Sequence, residues 1–199
     1  IMYATMRVGA IFSGLNHKQL PEKFHADIDR CKPKAAIVAP DFTDVADLIG
    51  SYAEIGVAMT TGEYSRFPAL DELGCDKPEQ LRVEPRCRDD VAAINFTAGT
   101  SGASKGVIFT HGKLETSAWG SIFIAGVNSH SVNLSLVGMF HSGGIADSIR
   151  MVMAGGTICW SEGWDVDRVV RIIRRHKINI AYYIVPTMLR DLLRHPEWD

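Results

Sequence analysis

The chain has 199 residues, of which 46% are apolar and 22% are charged. At roughly 150 residues per domain, this length fits one domain or one large piece of a bigger domain. The apolar and charged fractions are those of a globular protein, which excludes a disordered chain, collagen and a coiled coil. Lysine and arginine number 21 and aspartate and glutamate 23, a net charge of −2. This balance gives no overall positive field to hold a nucleic acid or an anionic membrane surface.

The cysteines and the N-terminus argue against secretion. Four cysteines are scattered without a C-x-x-C pair: Cys31, Cys75, Cys87 and Cys159. This pattern suits neither a disulfide framework nor a zinc site. The N-terminus has no signal peptide, and no apolar run approaches the roughly 20 residues that span a bilayer. We therefore expect reduced thiols, a cytoplasmic location and no transmembrane segment. Because the sequence begins with Ile1 and stops at Asp199 just after a helical pattern, we also expect a piece of a longer protein.

The first part of the chain alternates short apolar runs with helical periodicity. Residues 34–39 (KAAIVA) and 55–59 (IGVAM) predict buried strands, with a helix over 44–49 between them. Residues 60–88 are richer in proline, glycine and charge, and predict a long connection. This alternation is typical of parallel strands joined by crossover helices.

The last third of the chain predicts a β-α-β unit. Residues 157–160 and 179–185 (NIAYYIV) are apolar runs typical of strands. Between them an apolar stripe recurs at helical spacing opposite an arginine stripe: Val166, Val169, Val170 and Ile173 against Arg168, Arg171, Arg174 and Arg175. Such an arginine stripe indicates the solvated face of a surface helix rather than a nucleic-acid interface. Pro186 then opens a last helix, where its missing N–H is harmless. The predicted fold class is α/β, with mostly parallel sheet layers and flanking helices.

The segment 95–112, NFTAGTSGASKGVIFTHG, carries the most informative chemistry. Two β-like runs, 91–96 and 107–109, flank a stretch of glycine, threonine and serine that ends in Lys105. The glycines permit a tight turn and a close approach to a ligand, and consecutive N–H groups in such a turn form a concave anion site. Hydroxyls add donors, and a lysine supplies a point charge for phosphate oxygens. The segment therefore predicts a loop that binds polyphosphate.

The spacing excludes a Walker loop. That motif has glycine directly before its lysine and serine or threonine directly after it, whereas Ser104 precedes Lys105 and Gly106 follows it. A Walker loop also opens into a helix whose N-terminus holds the phosphates, and here a β-like run comes first. We therefore predict a strand-to-strand connection that holds phosphate with backbone N–H groups, hydroxyls and a lysine.

The stretch 96–106, FTAGTSGASKG, resembles the Gly/Ser/Thr-rich signature of the adenylate-forming enzymes. That superfamily contains acyl-CoA and aryl-CoA synthetases, firefly luciferase and the adenylation domains of peptide synthetases. Two positions depart from the signature: Ala98 stands where a small hydroxyl residue is usual, and Ser104 where proline is usual. The resemblance implies nucleotide-binding roles for Thr97, Ala98, Gly99, Thr100, Ser101, Gly102, Lys105 and Gly106. It also implies catalytic roles for two of them. Lys105 would hold the β- and γ-phosphates, and the hydroxyl of Thr97 or Thr100 would help to place Mg²⁺.

A second segment, 137–145 (VGMFHSGGI), is similar to the superfamily's aromatic-His-x-x-Gly segment beside the acyl pocket. The resemblance implies substrate-side roles for Met139, Phe140, His141 and Gly144. A lone histidine between apolar residues is more often structural than functional. The phosphate loop upstream in the same pattern favours the substrate-side role for His141.

The resemblance covers nearly the whole chain. Residues 3–16 look like the superfamily's early helix and turn, and residues 155–186 like its β-α-β stretch. The Tyr-Gly-x-Thr-Glu segment, the ribose-binding aspartate, the hinge and the lysine of the C-terminal domain have no counterpart before Asp199. By this resemblance, residues 1–199 are a fragment of the N-terminal AMP-binding domain of an acyl-CoA synthetase-like protein. We expect the fragment alone to be inactive.

The implied reaction is the activation of a small carboxylic acid, fatty or aromatic, with ATP, Mg²⁺ and coenzyme A. Two alternatives stay open. The first is a kinase or NTPase with an unusual phosphate loop, and the second is a catalytically silent AMP-binding protein, which Ala98 and Ser104 favour. No protein-ligated metal site is expected, because the histidines lack metal-ligand spacing, and no nucleic-acid partner is expected either.

Overall fold

The structure is a computed structural model, and it describes residues 1–62, 67–73, 83–97, 104–161 and 163–198. In chain order the elements are α1 (Met2–Arg7), α2 (Pro21–Cys31), β1 (Ala35–Val38), α3 (Thr43–Ile49), β2 (Val57–Thr60), a 3₁₀ helix (Leu70–Leu73), β3 (Val91–Phe96), β4 (Gly106–Thr110), α4 (His111–Ala125), β5 (Val132–Ser135), α5 (Ser142–Ala154), β6 (Thr157–Trp160), α6 (Val166–His176) and α7 (Pro186–Arg194). The chain divides into two compact units. The first contains residues 1–85 and 96–107, and the second residues 86–95 and 108–199.

The first unit is built around a parallel strand pair. β1 and β2 run side by side, with Ala35 opposite Val57 and Val38 opposite Thr60. Helix α2 begins at Pro21 in its first turn and ends before Lys32, whose φ of 44° is left-handed. Helices α2 and α3 and strand β1 bury the apolar side chains of this unit's core: Phe24, Ile28, Val38, Ala46 and Ile49. The predicted strands over 34–39 and 55–59 are confirmed, with ends that differ by one or two residues.

The second unit contains another parallel pair. β5 and β6 pair with Val132 opposite Thr157, and α4 packs against α5. Its core is small and apolar: Leu134, Val169, Val170 and Leu192. Helix α6 is capped by Asp165, whose carboxylate accepts from the N–H of Arg168 at 2.7 Å, as expected at a helix N-terminus. The two buried valines and the exposed Arg171, Arg174 and Arg175 confirm the predicted orientation of this helix.

The phosphate-loop segment lies between β3 and β4, which form a two-stranded sheet of their own. Helix α4 starts directly after β4, because the hydroxyl of Thr110 accepts from the N–H of Lys113 at 3.2 Å and caps the first turn. It ends at Gly126, whose φ of 65° permits the left-handed turn. The predicted strands on both sides of the loop are confirmed. The α/β class with parallel strand pairs and flanking helices is confirmed as well.

The predicted strand over residues 179–185 is wrong. Of this run only Ile180 forms a bridge, parallel to Asn133, and its carbonyl accepts from the N–H of Leu134 at 2.9 Å. Tyr183 has a φ of 52°, a left-handed conformation that a strand does not contain. The hydroxyl of Tyr183 accepts a hydrogen bond from Arg150. A side-chain contact with a distant helix therefore replaces the expected strand ladder.

Candidate functional site

The base of the phosphate loop is closed by two hydrogen bonds between its end residues. The N–H of Thr97 donates to the carbonyl of Lys105 at 3.0 Å, and the N–H of Lys105 donates to the Thr97 hydroxyl at 3.4 Å. The chain therefore leaves β3 and enters β4 at one point, as a strand-to-strand connection requires. The predicted nucleotide-binding residues Ala98, Gly99, Thr100, Ser101 and Gly102 lie outside the described residues.

The structure describes three of the residues that were predicted to contact the nucleotide, and all three are exposed. Thr97, Lys105 and Gly106 all face solvent. Within the described part of the chain, no carboxylate lies within ion-pair distance of the Lys105 ammonium group. A cation in this situation is available to phosphate oxygens.

Ser104 anchors the C-terminal end of the loop. Only 4% of its surface is exposed, and its hydroxyl donates to the carboxylate of Asp27 on α2. Its carbonyl accepts from the guanidinium of Arg30. Asp27 is itself buried and accepts a second hydrogen bond from the Gln19 amide at 2.8 Å. Ser104 stands where proline is usual in the adenylate-forming signature, and a buried polar anchor holds that position here.

The His141 segment forms the turn into α5. His141 is the residue that precedes the helix, and its N–H donates to the carbonyl of Gly138 at 3.0 Å. Its ring is exposed and lies 4.5 Å, between centroids, from the ring of Phe140. Met139 and Phe140 are half-buried. The segment thus presents an imidazole and two apolar side chains at the N-terminus of a helix.

Gly144 has a packing role in the same turn. A Cβ atom there would lie 2.4 Å from the carbonyl oxygen of Gly138, which is far inside van der Waals contact. The absence of a side chain therefore lets the 138–141 turn close onto α5. Contact of Gly144 with a substrate stays a prediction.

Asn95, which the sequence analysis did not single out, links the loop-bearing strand to this helix. It is 4% exposed at the end of β3. Its side-chain amide is oriented so that both the nitrogen and the oxygen have partners. The nitrogen donates to the carbonyl of Ile94 at 3.1 Å, and the oxygen accepts from the N–H of Ser142 at 2.9 Å. The hydrogen bond to Ser142 supplies a partner for one of the unsatisfied N–H groups that begin every helix. The local signal in the sequence was its position two residues before Thr97, directly before the stretch that resembles the adenylate-forming signature.

A buried ion pair on α5 also escaped the sequence analysis. Asp147 is completely buried, and its carboxylate accepts from the Ser135 hydroxyl at 2.9 Å. It lies 3.4 Å from the guanidinium of Arg150. Burial raises the pKa of Asp147, and the hydrogen bond from Ser135 and the charge of Arg150 offset only part of that effect. The signal in the sequence was an acid and a base three residues apart within an apolar helix.

Among the residues that the structure describes, no group of three or more histidine, cysteine, aspartate or glutamate side chains is placed to hold a metal ion. Over the same residues, no helix is long and apolar enough to cross a bilayer. Cys31, Cys87 and Cys159 are free thiols, and burial raises the pKa of Cys31 and Cys159. Cys75 lies outside the described residues.

Comparison with known families decides the assignment. The model of the family described as "AMP-binding enzyme" matches residues 1–199, the whole chain. This chain belongs to the AMP-binding enzyme family. The match removes the kinase or NTPase alternative, in agreement with the strand that follows the phosphate loop.

The relatives of this AMP-binding chain are acid–CoA ligases of greater length. It is 26% identical over 200 residues to a feruloyl-CoA synthase from Amycolatopsis sp., covering 99% of this chain and 38% of that protein. It is 25% identical over 203 residues to an indoleacetate–CoA ligase from Aromatoleum aromaticum, covering 99% of this chain and 39% of the relative. The chain therefore spans about two fifths of the length of the curated relatives that it matches.

Solved structures of the AMP-binding family share the fold. The anthranilate CoA ligase AuaEII, in complex with anthranoyl-AMP, superposes with a TM-score of 0.87 at 20% identity, over 99% of this chain and 39% of that one. The ATP-bound enzyme MatB from Rhodopseudomonas palustris superposes with a TM-score of 0.83 at 24% identity, over 98% of this chain and 38% of its own. At these identities the likeness establishes the α/β fold.

Proposed function

We propose that this chain is part of the N-terminal AMP-binding domain of an ATP-dependent acid–CoA ligase. The observation that carries the proposal is the closed base of the Thr97–Lys105 segment between two paired strands, in a chain that matches the AMP-binding family over its whole length. The relatives are named as acid–CoA ligases, and this supports the same class of reaction here. Because the chain spans only about 38% of such relatives, we expect the 199 residues alone not to turn over.

The proposed reaction has two steps. A carboxylate oxygen attacks the α-phosphorus of ATP, the bond to the β-phosphate oxygen breaks, and pyrophosphate leaves with the electron pair. The thiol of coenzyme A then attacks the acyl carbon and AMP leaves. The barrier of the first step comes largely from bringing two anions together, so positioning and charge neutralisation should supply most of the catalysis. The exposed Lys105 ammonium group fits the need for positive charge beside the β- and γ-phosphates.

The hydroxyl of Thr97 fits a minor role toward Mg²⁺. Mg²⁺ prefers oxygen ligands, and this hydroxyl is exposed, with a long hydrogen bond of 3.4 Å from the Lys105 N–H. Bound Mg²⁺ would neutralise charge on the phosphates. Thr97 offers one oxygen and no negative charge, so an acidic ligand would have to come from elsewhere in the full-length protein. None of the residues described here is assigned to coenzyme A.

The substrate side of the proposed site is the turn into α5. Met139, Phe140 and His141 present two apolar groups and an imidazole there, and Gly144 lets the turn close. We propose that these residues lie beside the acid that is activated. An aromatic acid is preferred to a fatty acid, because the relatives are named for ferulate, indoleacetate and 3-hydroxybenzoate.

The test is pyrophosphate exchange in the full-length protein. Lys105→Ala should lower the exchange rate at least tenfold, because about 1.4 kcal/mol of lost phosphate binding corresponds to a factor of ten. Lys113→Ala is the matched control, since Lys113 is also an exposed lysine and lies at the start of the next helix. Equal exchange rates in wild-type protein and Lys105→Ala would refute the assignment of the loop.

A catalytically silent AMP-binding protein is the second candidate. The observation in its favour is Ala98, which removes one hydroxyl from the phosphate loop. This candidate predicts ATP binding by titration calorimetry without pyrophosphate exchange for any acid. Restoration of exchange by Ala98→Ser would identify the missing hydroxyl as the cause.

A further inference from the structure

A cavity of about 420 Å³ opens in the second unit. Helix α4 forms one wall, with Gly120, Ser121 and Ile124, and the loop with Tyr182 and Tyr183 forms another. Its volume is in the range of small-molecule sites. A Cβ atom added at Gly120 would meet no atom within 4 Å, so the missing side chain leaves space at this wall. The lining of the cavity combines apolar side chains with hydroxyl groups, and Ile124 at its edge is 91% exposed, so the cavity is open to solvent.

Arg150 brings a positive charge to this cavity. The residue is 4% exposed, and its guanidinium carbon lies 3.9 Å above the centre of the Tyr182 ring. Its Nη2 atom donates to the hydroxyl of Tyr183 at 3.1 Å. Arginine is rarely buried without compensation, because a buried charge requires partners or a function. Both tyrosines thus contact the guanidinium at the wall of the cavity.

The protein supplies hydrogen-bond acceptors for only some of the N–H donors of the Arg150 guanidinium. Nε donates to the carbonyl of Ala146 at 3.2 Å, and Nη2 approaches Asp147 at 3.4 Å, longer than a good charge-assisted hydrogen bond. A guanidinium has five N–H donors, and Nη1 has no hydrogen-bond partner among the described residues. A planar anion placed in the cavity would find two free donors and a positive charge.

The position of Arg150 relates this charge to the proposed site of activation. Arg150 and His141 lie on α5 or at its N-terminus, and the bond from Nε to Ala146 turns the guanidinium back toward that end. At 1.5 Å per residue, the level of Ala146 is about 7.5 Å along the axis from that of His141. The ring of Tyr183 covers Gly143 on the way, since a Cβ at Gly143 would lie 2.9 Å from the Tyr183 ring. Tyr183 therefore both lines the cavity and packs on the first turn of α5, two residues after His141.

We propose that this cavity holds the part of the acid remote from the activated carboxylate, and that Arg150 binds a second anionic group on it. The inference rests on the proposed ligase function and deepens it. The substrate class is then an aryl or short-chain acid that carries a second carboxylate several ångströms from the first. A neutral acid of the same shape gives the Nη1 donors of Arg150 no anionic acceptor and is a poorer substrate.

The experiment compares two acids of matched shape in the full-length enzyme. Terephthalate carries the second carboxylate, and 4-carbamoylbenzoate replaces it with a neutral amide. We expect kcat/KM for adenylation, measured as acid-dependent pyrophosphate exchange, to be at least tenfold higher for the dicarboxylate. Arg150→Gln should abolish this preference through a rise in KM for terephthalate, and Arg150→Lys should keep part of it. Arg171→Gln, on the exposed face of α6, is the charge-matched control and should keep the wild-type preference.

Different outcomes overturn different statements. Arg150→Gln could instead lower kcat/KM equally for both acids, or the wild-type enzyme could prefer the neutral acid. Either result would overturn the role of Arg150 in recognition and leave it a structural role. If Arg150→Gln does not fold, Gly120→Leu replaces it, because that side chain fills the cavity and should raise KM for terephthalate at least tenfold. An unchanged KM in Gly120→Leu would overturn the cavity as the binding place. Absence of exchange with every acid, in wild-type protein that binds ATP, would instead overturn the proposed ligase function.

Discussion

The hydroxyl of Ser104 donates a hydrogen bond to the carboxylate of Asp27, and this bond ties the end of the phosphate loop to helix α2. Both side chains are nearly fully buried. In the adenylate-forming signature proline is usual at the position of Ser104 and stiffens the chain through its fixed φ. Here a buried hydrogen bond from outside the loop supplies the constraint.

We predict that Asp27→Ala loosens the phosphate loop and lowers stability. The substitution leaves the Ser104 hydroxyl and the Gln19 amide without their acceptor, at a cost of about 1–3 kcal/mol each if they stay buried. Thermal melting of the full-length protein should show a lower Tm, and the KM for ATP should rise. Glu22→Gln is the control, since Glu22 is an exposed acid on the same helix. An unchanged KM for ATP would show that the anchor does not support the loop.

Asn95→Ala should weaken the connection between β3 and α5. The variant removes the acceptor of the Ser142 N–H and the donor to the Ile94 carbonyl, and about 1–3 kcal/mol of stability should be lost. Asn95→Asp keeps an acceptor for the helix N-terminus, where a negative charge is favourable, and should recover part of the Tm. Equal melting temperatures of the alanine and aspartate variants would contradict the role given to the Ser142 bond.

Gly144→Ala should be strongly destabilising, whereas Gly120→Ala should not. At Gly144 the new Cβ would meet a backbone carbonyl oxygen at 2.4 Å, while at Gly120 it would meet no atom within 4 Å. Overpacking of this kind costs about 1–3 kcal/mol, and alanine is favoured over glycine within a helix by about 0.5–1 kcal/mol. The two Tm values should therefore move in opposite directions. A shift of both Tm values in the same direction would argue against the tight turn at residues 138–144.

The buried Asp147 should make stability depend on pH. Burial raises its pKa in the folded state above the usual value, so the folded protein holds this proton more tightly than the unfolded chain does. The contribution of the group to stability is then greatest when it is protonated and falls as pH rises through the raised pKa. The Tm of Asp147→Asn minus that of the wild type should therefore increase as pH rises from about 4. A difference in Tm that is constant across pH, or that changes in the opposite direction, would contradict this account.

Elements with a clear local period were predicted well. The strands over 91–96 and 157–160 have the predicted bounds, because each is a short run of mainly apolar residues that is typical of a strand. Helix α6 was found from valines spaced along one face. Helix α4 was not predicted, since its apolar residues point both ways: Leu114 and Ala118 are buried, whereas Phe123 and Ile124 are exposed. A helix without a single apolar face gives no helical signal.

The sequence by itself determined the α/β class and the membership in the AMP-binding family, and it predicted the phosphate loop, because the apolar runs and motifs behind these statements are contiguous residues. Only the tertiary structure decided what surrounds the loop and the proposed acid. Ser104 and Asp27 are 77 residues apart, and Arg150 and Tyr183 are 33 residues apart. A buried polar side chain takes its partner from whichever segment the packed core brings within hydrogen-bond distance. Local periodicity cannot encode that choice, and Tyr183, which the pattern placed in a last strand, has a left-handed φ of 52° and contacts Arg150 instead.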